Sequence, residues 1–243
     1  MLSYPPFCVD RENFAMGTIS SKARIIQTII SAAAQYKKHL VGKTFLYVFE
    51  GHMIEVAYHA EEFRHLTGVA TRGLTARSFY DKAVDGTLQE NQVYFDTKHQ
   101  LHLCKRKMRH IQNLVSVTNS ALVVLKDVST KTETYHFAFT ELSFTLCLGR
   151  DVDLSTGNLK NNYYIVKSLR DGDMFNRSVL QYECNYIFSR QTDKSFYDTL
   201  CYSDGKVMIC DLSDKIKAKL AASLIFEADG DFAGAKEGLQ ARL

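Results

Sequence analysis

Histidines are the residues of this sequence best suited to acid/base chemistry. Three of the eight lie within fourteen residues, and three more lie in or beside a basic segment: His52, His59, His65, His99, His102 and His110. Imidazole titrates near neutral pH and can therefore both remove and donate a proton. Metal-independent RNA cleavage needs a base for the 2′-hydroxyl, a cation for the phosphorane and an acid for the leaving oxygen. The alternative for each histidine taken alone is a structural role.

The basic segment contains no acidic residue between Thr97 and Lys126. Its cations carry six positive charges, twice the formal net charge of +3 for the whole chain. Such a charge distribution attracts polyanions. The alternative is a solvated helix face whose charges serve solubility alone. The residues predicted to bind nucleic acid are Lys98, Lys105, Arg106, Lys107 and Arg109.

The tripeptide Asn176-Arg177-Ser178 forms a second polar cluster, just before a predicted strand. Arg177 can make a bidentate contact to phosphate, and Ser178 adds a further hydrogen-bond donor. Both are therefore candidate catalytic residues. The alternative is a polar entry into the strand.

Metal-dependent and nucleotide-driven chemistries have little support. The sequence contains no glycine-rich phosphate loop, no H-E-x-x-H or G-x-S-x-G motif, and no paired acidic motif of a two-metal nuclease. Its six cysteines are scattered without a C-x-x-C pair, and His99 and His102 lack a carboxylate or thiolate in register. We therefore expect reduced thiols, no metal site and no cofactor.

Three helices are predicted to position these residues. Ser20 or Ser21 can cap a first helix that ends near Leu40. Thr75 can cap a second helix, and apolar spacing predicts a third over residues 98–117.

Strands are predicted as a hairpin over 44–49 and 53–58 and then over 121–125, 133–139, 143–148, 163–169, 181–188, 196–202 and 207–210. No segment between the later strands is long and helical enough for a parallel crossover. The expected fold is therefore α+β: an antiparallel β-sheet meander with N-terminal helices packed on it and a C-terminal helical hairpin. The hairpin begins with a helix over 214–227 and either caps the sheet or forms an oligomer contact.

No stretch of the sequence is long and apolar enough to cross a bilayer. Residues 1–17 lack the order of basic, apolar and small residues that marks a secretory signal. These patterns predict a cytoplasmic protein.

A short motif connects the sequence to a known family. Phe63-Arg64-His65-Leu66-Thr67-Gly68 follows the hairpin in the pattern F-x-H-L-T-G, and Ser78-Phe79-Tyr80 stands further along. The sequence resembles, over roughly residues 36–204, a phage-associated family of the barnase-EndoU-colicin-RelE-like nuclease superfamily. The resemblance implies helices on a four-stranded antiparallel sheet, metal-independent RNA cleavage, an origin in a phage or mobile element, and a role as a toxin. A seam near Ser213, where the predicted strands give way to helix, is predicted to divide the chain into a nuclease-like domain over 1–213 and a helical appendage over 214–243.

Within this resemblance, His65 is the expected acid/base residue. Thr67 is expected to bind a phosphate or orient the imidazole, so it is a second candidate catalytic residue. In the structural alternative Phe63 and Leu66 pack inward. Thr67 then caps a turn, Gly68 supplies a positive φ, and the His65 ring satisfies a backbone carbonyl.

Three functions from different classes remain open. A ribonuclease, with RNA as substrate and transfer RNA as one candidate among others, predicts that His65, Arg177 and the basic segment converge on one cleft. A non-catalytic nucleic-acid binder predicts the basic face alone, with strong salt dependence. An interaction module that inhibits a host factor predicts an important C-terminal hairpin surface. Further partners to expect are an immunity or inhibitor protein and a second copy of the chain bound through the C-terminal helices.

Overall fold

The computed structural model describes residues 20–131, 133–153 and 155–225. Within these ranges the α-helices are α1 Ser21–His39, α2 Phe63–Thr67, α3 Ala76–Val84, α4 Leu101–Met108 and α5 Asp214–Lys217. The strands are β1 Lys43–Phe49, β2 His52–Ala57, β3 Ala70–Thr71, β4 Val93–Tyr94, β5 Val123–Ser129, β6 Thr134–Thr140, β7 Phe144–Val152, β8 Leu159–Asp171, β9 Leu180–Glu183, β10 Tyr186–Gln191 and β11 Thr199–Ser203. None of the described helices is long and apolar enough to cross a membrane.

The large sheet is curled, so that strands from opposite ends of its strand order lie close together. Its order is β11-β10-β1-β2-β8-β7-β6-β5-β9, yet only Cys184 and Asn185 separate β9 from β10. One bent segment therefore pairs with β5 through its first half and with β1 through its second half. The curl brings Tyr47 of β1 onto Phe139 of β6, with ring centroids 4.0 Å apart. One face of the sheet thus wraps around the main core.

The α+β class is confirmed, but the antiparallel meander is wrong for the sheet as a whole. Strands β5 to β8 do form such a meander, whereas β2 and β8 pair in parallel at Val56–Tyr164 and Ala57–Ile165. The connection between these two strands is the whole stretch from α2 to β7 and not a single helix. No single crossover helix therefore marks this parallel pair in the sequence. Within the described ranges the sheet has nine strands, where the resemblance implied four.

Local capping signals explain the first helices and the hairpin. The Ser20 hydroxyl accepts a hydrogen bond from the Ala23 amide at 2.9 Å and caps α1. Thr75 caps α3 in the same way through the Ser78 amide, at 3.1 Å. The predicted hairpin forms β1 and β2, with Gly51 in its turn at φ +74°. These three predictions are confirmed.

The third predicted helix, over 98–117, is wrong in its bounds. Asp96 Oδ1 accepts the backbone amides of Lys98 and His99, so these residues form a turn and α4 begins only at Leu101. Beyond α4 the chain tightens into a 3₁₀ helix, Ile111–Thr118. A side-chain cap thus overrides the helical spacing and holds His99 just before α4.

Opposite faces of the sheet are covered by different parts of the chain. Helices α1, α2 and α3 pack into the curl, against Tyr47 and Phe139. On the other face, Leu46 and Phe188 pack against Leu220, which follows α5. Residues 214–225 therefore share a hydrophobic core with β1 and β10 and act as a cap on the sheet.

The C-terminal region departs from its predicted elements. The strand predicted over 207–210 is wrong, since Ile209–Asp211 forms a 3₁₀ turn. The continuous helix predicted over 214–227 is also wrong: it stops after α5, Leu220 forms a bridge with Tyr197, and residues 222–225 are helical again. The rest of the predicted hairpin, and with it the predicted oligomer contact, lies outside the described residues.

Candidate functional site

His65 lies on the exposed side of the short helix α2, whose other side is anchored in the core. Phe63 and Leu66 are fully buried, as the motif predicted. Gly68 ends the helix with φ +73°, a left-handed conformation that glycine adopts without strain, and this prediction is confirmed too. The apolar side of α2 thus holds His65 in place at the surface.

A cleft of about 440 Å³ lies beside His65, bordered by α2, α4 and β8. No acidic side chain of the described residues lines it. Its five cations are Arg64, Lys98, Lys107, Lys167 and Arg170. The rings of His99, Tyr94 and Tyr135 complete the lining. A cleft lined by one sign of charge raises the local concentration of polyanions such as phosphodiesters.

The His65 imidazole is free for chemistry. Its ring nitrogens form no hydrogen bond with any described residue, unlike the structural alternative in which the ring satisfies a carbonyl. Burial lowers the pKa of His65, and the positive charges of Arg64, Lys107 and Lys167 lower it further. The ring is therefore neutral at pH 7 and able to accept a proton.

Lys107 is a half-buried cation of the cleft. Its Nζ donates a hydrogen bond to the His65 carbonyl oxygen at 2.9 Å, which ties α4 to α2. Burial and the neighbouring charge of Arg170 lower the pKa of Lys107 to about 8. Its carbon stem runs against Gly68, where a Cβ would meet the Lys107 Cδ at 2.9 Å. Glycine is therefore needed at position 68 both for its positive φ and for this close approach.

His99 lines the same cleft with its ring orientation set by Asp96. The His99 Nδ1 lies 3.1 Å from Asp96 Oδ1, which also accepts the His99 backbone amide. These hydrogen bonds, the backbone one first, lower the pKa of Asp96, so the carboxylate stays ionised. The His99 Nε2 has no partner among the described residues. The cleft thus holds two imidazoles in different electrostatic settings.

Thr67 was predicted to bind phosphate or orient the imidazole, but it lies outside the cleft lining. Its buried hydroxyl donates to the Arg64 carbonyl at 2.7 Å and accepts the Val69 amide at 3.3 Å. Both hydrogen bonds stay within the turn that ends α2, and Thr67 does not line the cleft. This geometry is that of a turn cap, and the catalytic role of Thr67 stays a prediction.

Arg177 lines a groove of about 430 Å³ that adjoins the cleft. Cleft and groove share Leu103, Lys107 and Arg170. The other charged residues of the groove are Arg106, Lys131, Asp171 and Arg177. His65 and Arg177 therefore belong to one basic surface but to separate cavities.

Ser178 lines neither cavity. Its hydroxyl donates to the Phe175 carbonyl at 2.9 Å and lies 3.3 Å from the side-chain amide of Gln181. Ser178 thus ends the short 3₁₀ turn that presents Arg177, and its catalytic role stays a prediction.

The predicted nucleic-acid-binding residues divide between the two cavities. Lys98 and Lys107 line the cleft, and Arg106 and Lys107 line the groove. Arg109 lies outside both, 3.8 Å from a groove carboxylate. Lys105 is exposed on α4 and lines neither. Three of the five predicted cations therefore face a cavity.

The histidine groups of the sequence are separated in three dimensions. Of the first group only His65 lines the cleft, because His52 begins β2 and the His59 Nε2 lies 3.6 Å from the Asp151 carboxylate. Of the second group only His99 does. Nowhere in the described ranges do three or more His, Cys, Asp or Glu side chains meet in a group able to hold a metal ion. Closeness in sequence therefore did not identify the pair of histidines that share the cleft.

Three cations of the cleft escaped sequence reasoning: Arg64, Lys167 and Arg170. Arg64 stands inside the recognised motif, so its position was the available signal. Lys167 and Arg170 lie on β8, where a register shift against β7 leaves Lys167 without a paired residue. Cations that interrupt an otherwise apolar strand were the signal for these two.

Comparison with known proteins supports the family assignment that was made from the motif. No curated protein and no solved structure matches the chain. A family model described as phage-Barnase-EndoU-ColicinE5/D-RelE like nuclease4 matches residues 28–206, a stretch that contains the F-x-H-L-T-G motif and every residue lining the cleft and the groove. The chain therefore belongs to the phage-Barnase-EndoU-ColicinE5/D-RelE like nuclease4 family, as its motif predicted.

Proposed function

We propose that this protein is a metal-independent endoribonuclease whose active site is the His65 cleft. The observation that carries the proposal is a neutral imidazole without a hydrogen bond, in a cleft that five cations and no carboxylate of the described residues line. Membership of a nuclease family supports phosphodiester cleavage as the reaction. The cations supply the charge stabilisation that a bound metal supplies in other nucleases.

His65 acts as the general base. Because its lowered pKa keeps the ring neutral at pH 7, a ring nitrogen accepts the proton of a ribose 2′-hydroxyl. The 2′-oxygen then bonds to the adjacent phosphorus, and the bond from phosphorus to the 5′-oxygen breaks. The products are a 2′,3′-cyclic phosphate and a 5′-hydroxyl. The need for a 2′-hydroxyl makes RNA the substrate.

Lys107 and Arg170 stabilise the phosphorane, and His99 protonates the leaving oxygen. Arg170 lines both the cleft and the groove, and its guanidinium supplies N–H donors for a non-bridging phosphate oxygen. Asp96 orients His99 and provides a negative partner for its imidazolium form. The proton that leaves the 2′-hydroxyl ends on His65, and the proton that reaches the 5′-oxygen comes from His99.

The Arg177 groove binds the phosphates that flank the cleaved bond. It shares Lys107 and Arg170 with the cleft, so an extended strand can occupy both cavities. A bidentate contact from Arg177 to a phosphate fits the role that its sequence context predicted.

The test compares an RNA oligonucleotide with its all-deoxy counterpart, each incubated with purified protein in excess EDTA. We expect cleavage of the RNA alone, with 2′,3′-cyclic phosphate ends that resist alkaline phosphatase until acid opens the ring to a phosphomonoester. The His65→Ala variant is expected to leave the RNA intact. Its matched control is His102→Ala, which removes an exposed histidine of α4 outside the cleft.

Two outcomes would contradict the proposal. Equal cleavage of RNA and DNA would exclude attack by the 2′-hydroxyl. Intact RNA with folded wild-type protein, together with salt-dependent binding, would favour the non-catalytic nucleic-acid binder.

A further inference from the structure

A third cavity, of about 300 Å³, opens at the end of the curled sheet where β1 meets β2. It shares no residue with the His65 cleft. Six ring side chains line it: Phe49, His52, His136, Phe137, Tyr164 and Tyr182. The strands that supply them are distant in sequence, and only the curl of the sheet brings them together.

The rings form a continuous aromatic wall. The ring centroids of Phe49 and Tyr182 are 5.3 Å apart, those of Phe49 and Phe137 are 6.0 Å apart, and those of Phe137 and Tyr164 are 5.3 Å apart. Phe137 and Tyr182 are only partly buried, so part of this wall faces solvent. An exposed aromatic surface of this kind is suited to stacking on a flat heterocycle.

Two cations stand beside the wall. The Arg150 guanidinium carbon lies 4.1 Å from the Tyr164 ring centroid, and its Nη1 donates to the Asn162 carbonyl at 2.9 Å. Lys126 forms no ion pair or hydrogen bond through its side chain with any described residue. Both cations are thus positioned to receive an anionic group next to a stacked ring.

Among the residues that the structure describes, one acidic side chain lines this cavity, and it already has hydrogen-bond partners. Glu55 accepts a hydrogen bond from the Tyr197 hydroxyl at 2.8 Å and one from the Lys219 Nζ at 2.9 Å. Its charge is therefore neutralised from the other face of the sheet. The cavity is left with aromatic walls and net positive charge.

We propose that this cavity binds one nucleotide unit of a single-stranded RNA substrate. The base stacks on the wall formed by Phe137 and Tyr182, and the phosphate contacts Arg150 and Lys126. Ring stacking beside cations is how proteins hold unpaired bases without reading a duplex. The inference rests on the proposed function for the identity of the polynucleotide, since the cavity itself recognises only a base and its phosphate.

The test is a protein-detected NMR titration with adenosine 5′-monophosphate, adenosine, inorganic phosphate and tetra-adenylate RNA. The His65→Ala protein is used so that cleavage plays no part. We expect the monophosphate to shift resonances of the cavity residues, with adenosine and inorganic phosphate each binding more weakly. Tetra-adenylate is expected to bind more tightly than the monophosphate and to shift resonances of the His65 cleft as well.

Variants test the contributions of the aromatic wall and of the cations to monophosphate binding separately. Tyr182→Ala and Lys126→Ala are each expected to weaken monophosphate binding about tenfold. Lys37→Ala, which removes an exposed cation of α1, is expected to leave it unchanged. Inorganic phosphate that binds as tightly as the monophosphate would overturn the inference, as would equal affinity of the three variants.

The two proposals fail in different ways. If wild-type protein cleaves RNA but the monophosphate leaves the cavity resonances unmoved, the cavity inference alone is wrong. If the monophosphate binds there and RNA stays intact, the nuclease proposal alone is wrong.

Discussion

The His65 cleft and the Arg177 groove are neighbouring cavities of nearly equal size, at about 440 Å³ and 430 Å³. Both are lined by cations, and both include Lys107 and Arg170. They differ in the residues that do not carry positive charge. The cleft contains two imidazoles and no carboxylate of the described residues, whereas the groove contains Asp171 and no imidazole.

This difference separates binding from chemistry. Positive charge attracts a phosphodiester in either cavity, but only an imidazole with a free nitrogen can move a proton near neutral pH. The imidazole nearest the groove is that of His110, whose Nε2 lies 2.7 Å from Asp171 Oδ1, but His110 lines neither cavity. Substitutions in the cleft should therefore reduce turnover, and substitutions in the groove should reduce affinity.

The largest effect is expected from His65→Ala. Loss of the general base should lower kcat for RNA cleavage about 10³-fold, the usual size of an acid/base contribution. Affinity for a 2′-deoxy analogue, which cannot be cleaved, should stay unchanged because the five cations remain. Steady-state kinetics and filter binding on the same preparation check this, with His102→Ala as the control. A loss of affinity equal to the loss in kcat would mean that His65 serves binding as much as turnover, and the cleft would then not differ from the groove.

A somewhat smaller effect is expected from Lys107→Met, which keeps the buried stem and removes the charge from both cavities. We expect kcat to fall about 100-fold, as when one stabilising donor of a transition state is lost. Affinity should fall as well, which distinguishes this variant from His65→Ala. Lys107→Arg retains the charge and serves as the comparison. If Lys107→Met changed only affinity, Lys107 would act as a binding residue.

The pH profile tests the two shifted groups of the cleft. The pKa of His65 is lowered from its usual 6.5, so log kcat/KM should rise with pH until the ring is neutral and then level off below pH 7. It should fall again at higher pH for two reasons: His99 must be protonated to donate its proton, and Lys107 loses its charge above about 8. Lys107→Arg should remove only the part of this fall near pH 8, because arginine stays protonated. A fall near pH 8 that persists unchanged in Lys107→Arg would show that Lys107 does not cause it.

Gly68→Ala tests the contact that joins α2 to α4. The positive φ costs an alanine about 1–2 kcal/mol, and the new Cβ must also displace the Lys107 stem. Gly51→Ala is the matched control, since Gly51 has the same sign of φ and nothing within 4 Å of an added Cβ. We expect both variants to lower the free energy of unfolding in urea, but only Gly68→Ala to lower kcat. If Gly68→Ala and Gly51→Ala had the same kcat, the close approach of the Lys107 stem to Gly68 would not be what positions the cleft residues.

The smallest effect is expected from Arg177→Ala in the groove. Affinity for RNA should fall a few-fold, the salt dependence of binding should decrease by about one unit of slope, and kcat should stay unchanged. Lys105→Ala removes one charge outside both cavities and should change affinity less. Binding titrations at several salt concentrations measure both. A large loss of kcat in Arg177→Ala would move Arg177 into the catalytic centre.

Short-range sequence features determined much of what surrounds the cleft. The Ser20 and Thr75 caps, the hairpin turn at Gly51, and the buried and left-handed positions of the F-x-H-L-T-G motif follow from interactions between residues a few positions apart. Such interactions depend little on the rest of the chain, because the partners are held close by the backbone itself. The family and its nuclease motif were readable at this level.

Tertiary structure alone decided which distant residues meet. The parallel pairing of β2 with β8 and the division of one predicted strand into β9 and β10 depend on the curl of the whole sheet. Lys167 and Arg170 line the His65 cleft because β8 is bulged and lies beside α2 and α4, which are about a hundred and about sixty residues away in sequence. The same curl assembles the aromatic cavity. These contacts join segments whose proximity no local pattern encodes, since it is the burial of a common core that brings them together.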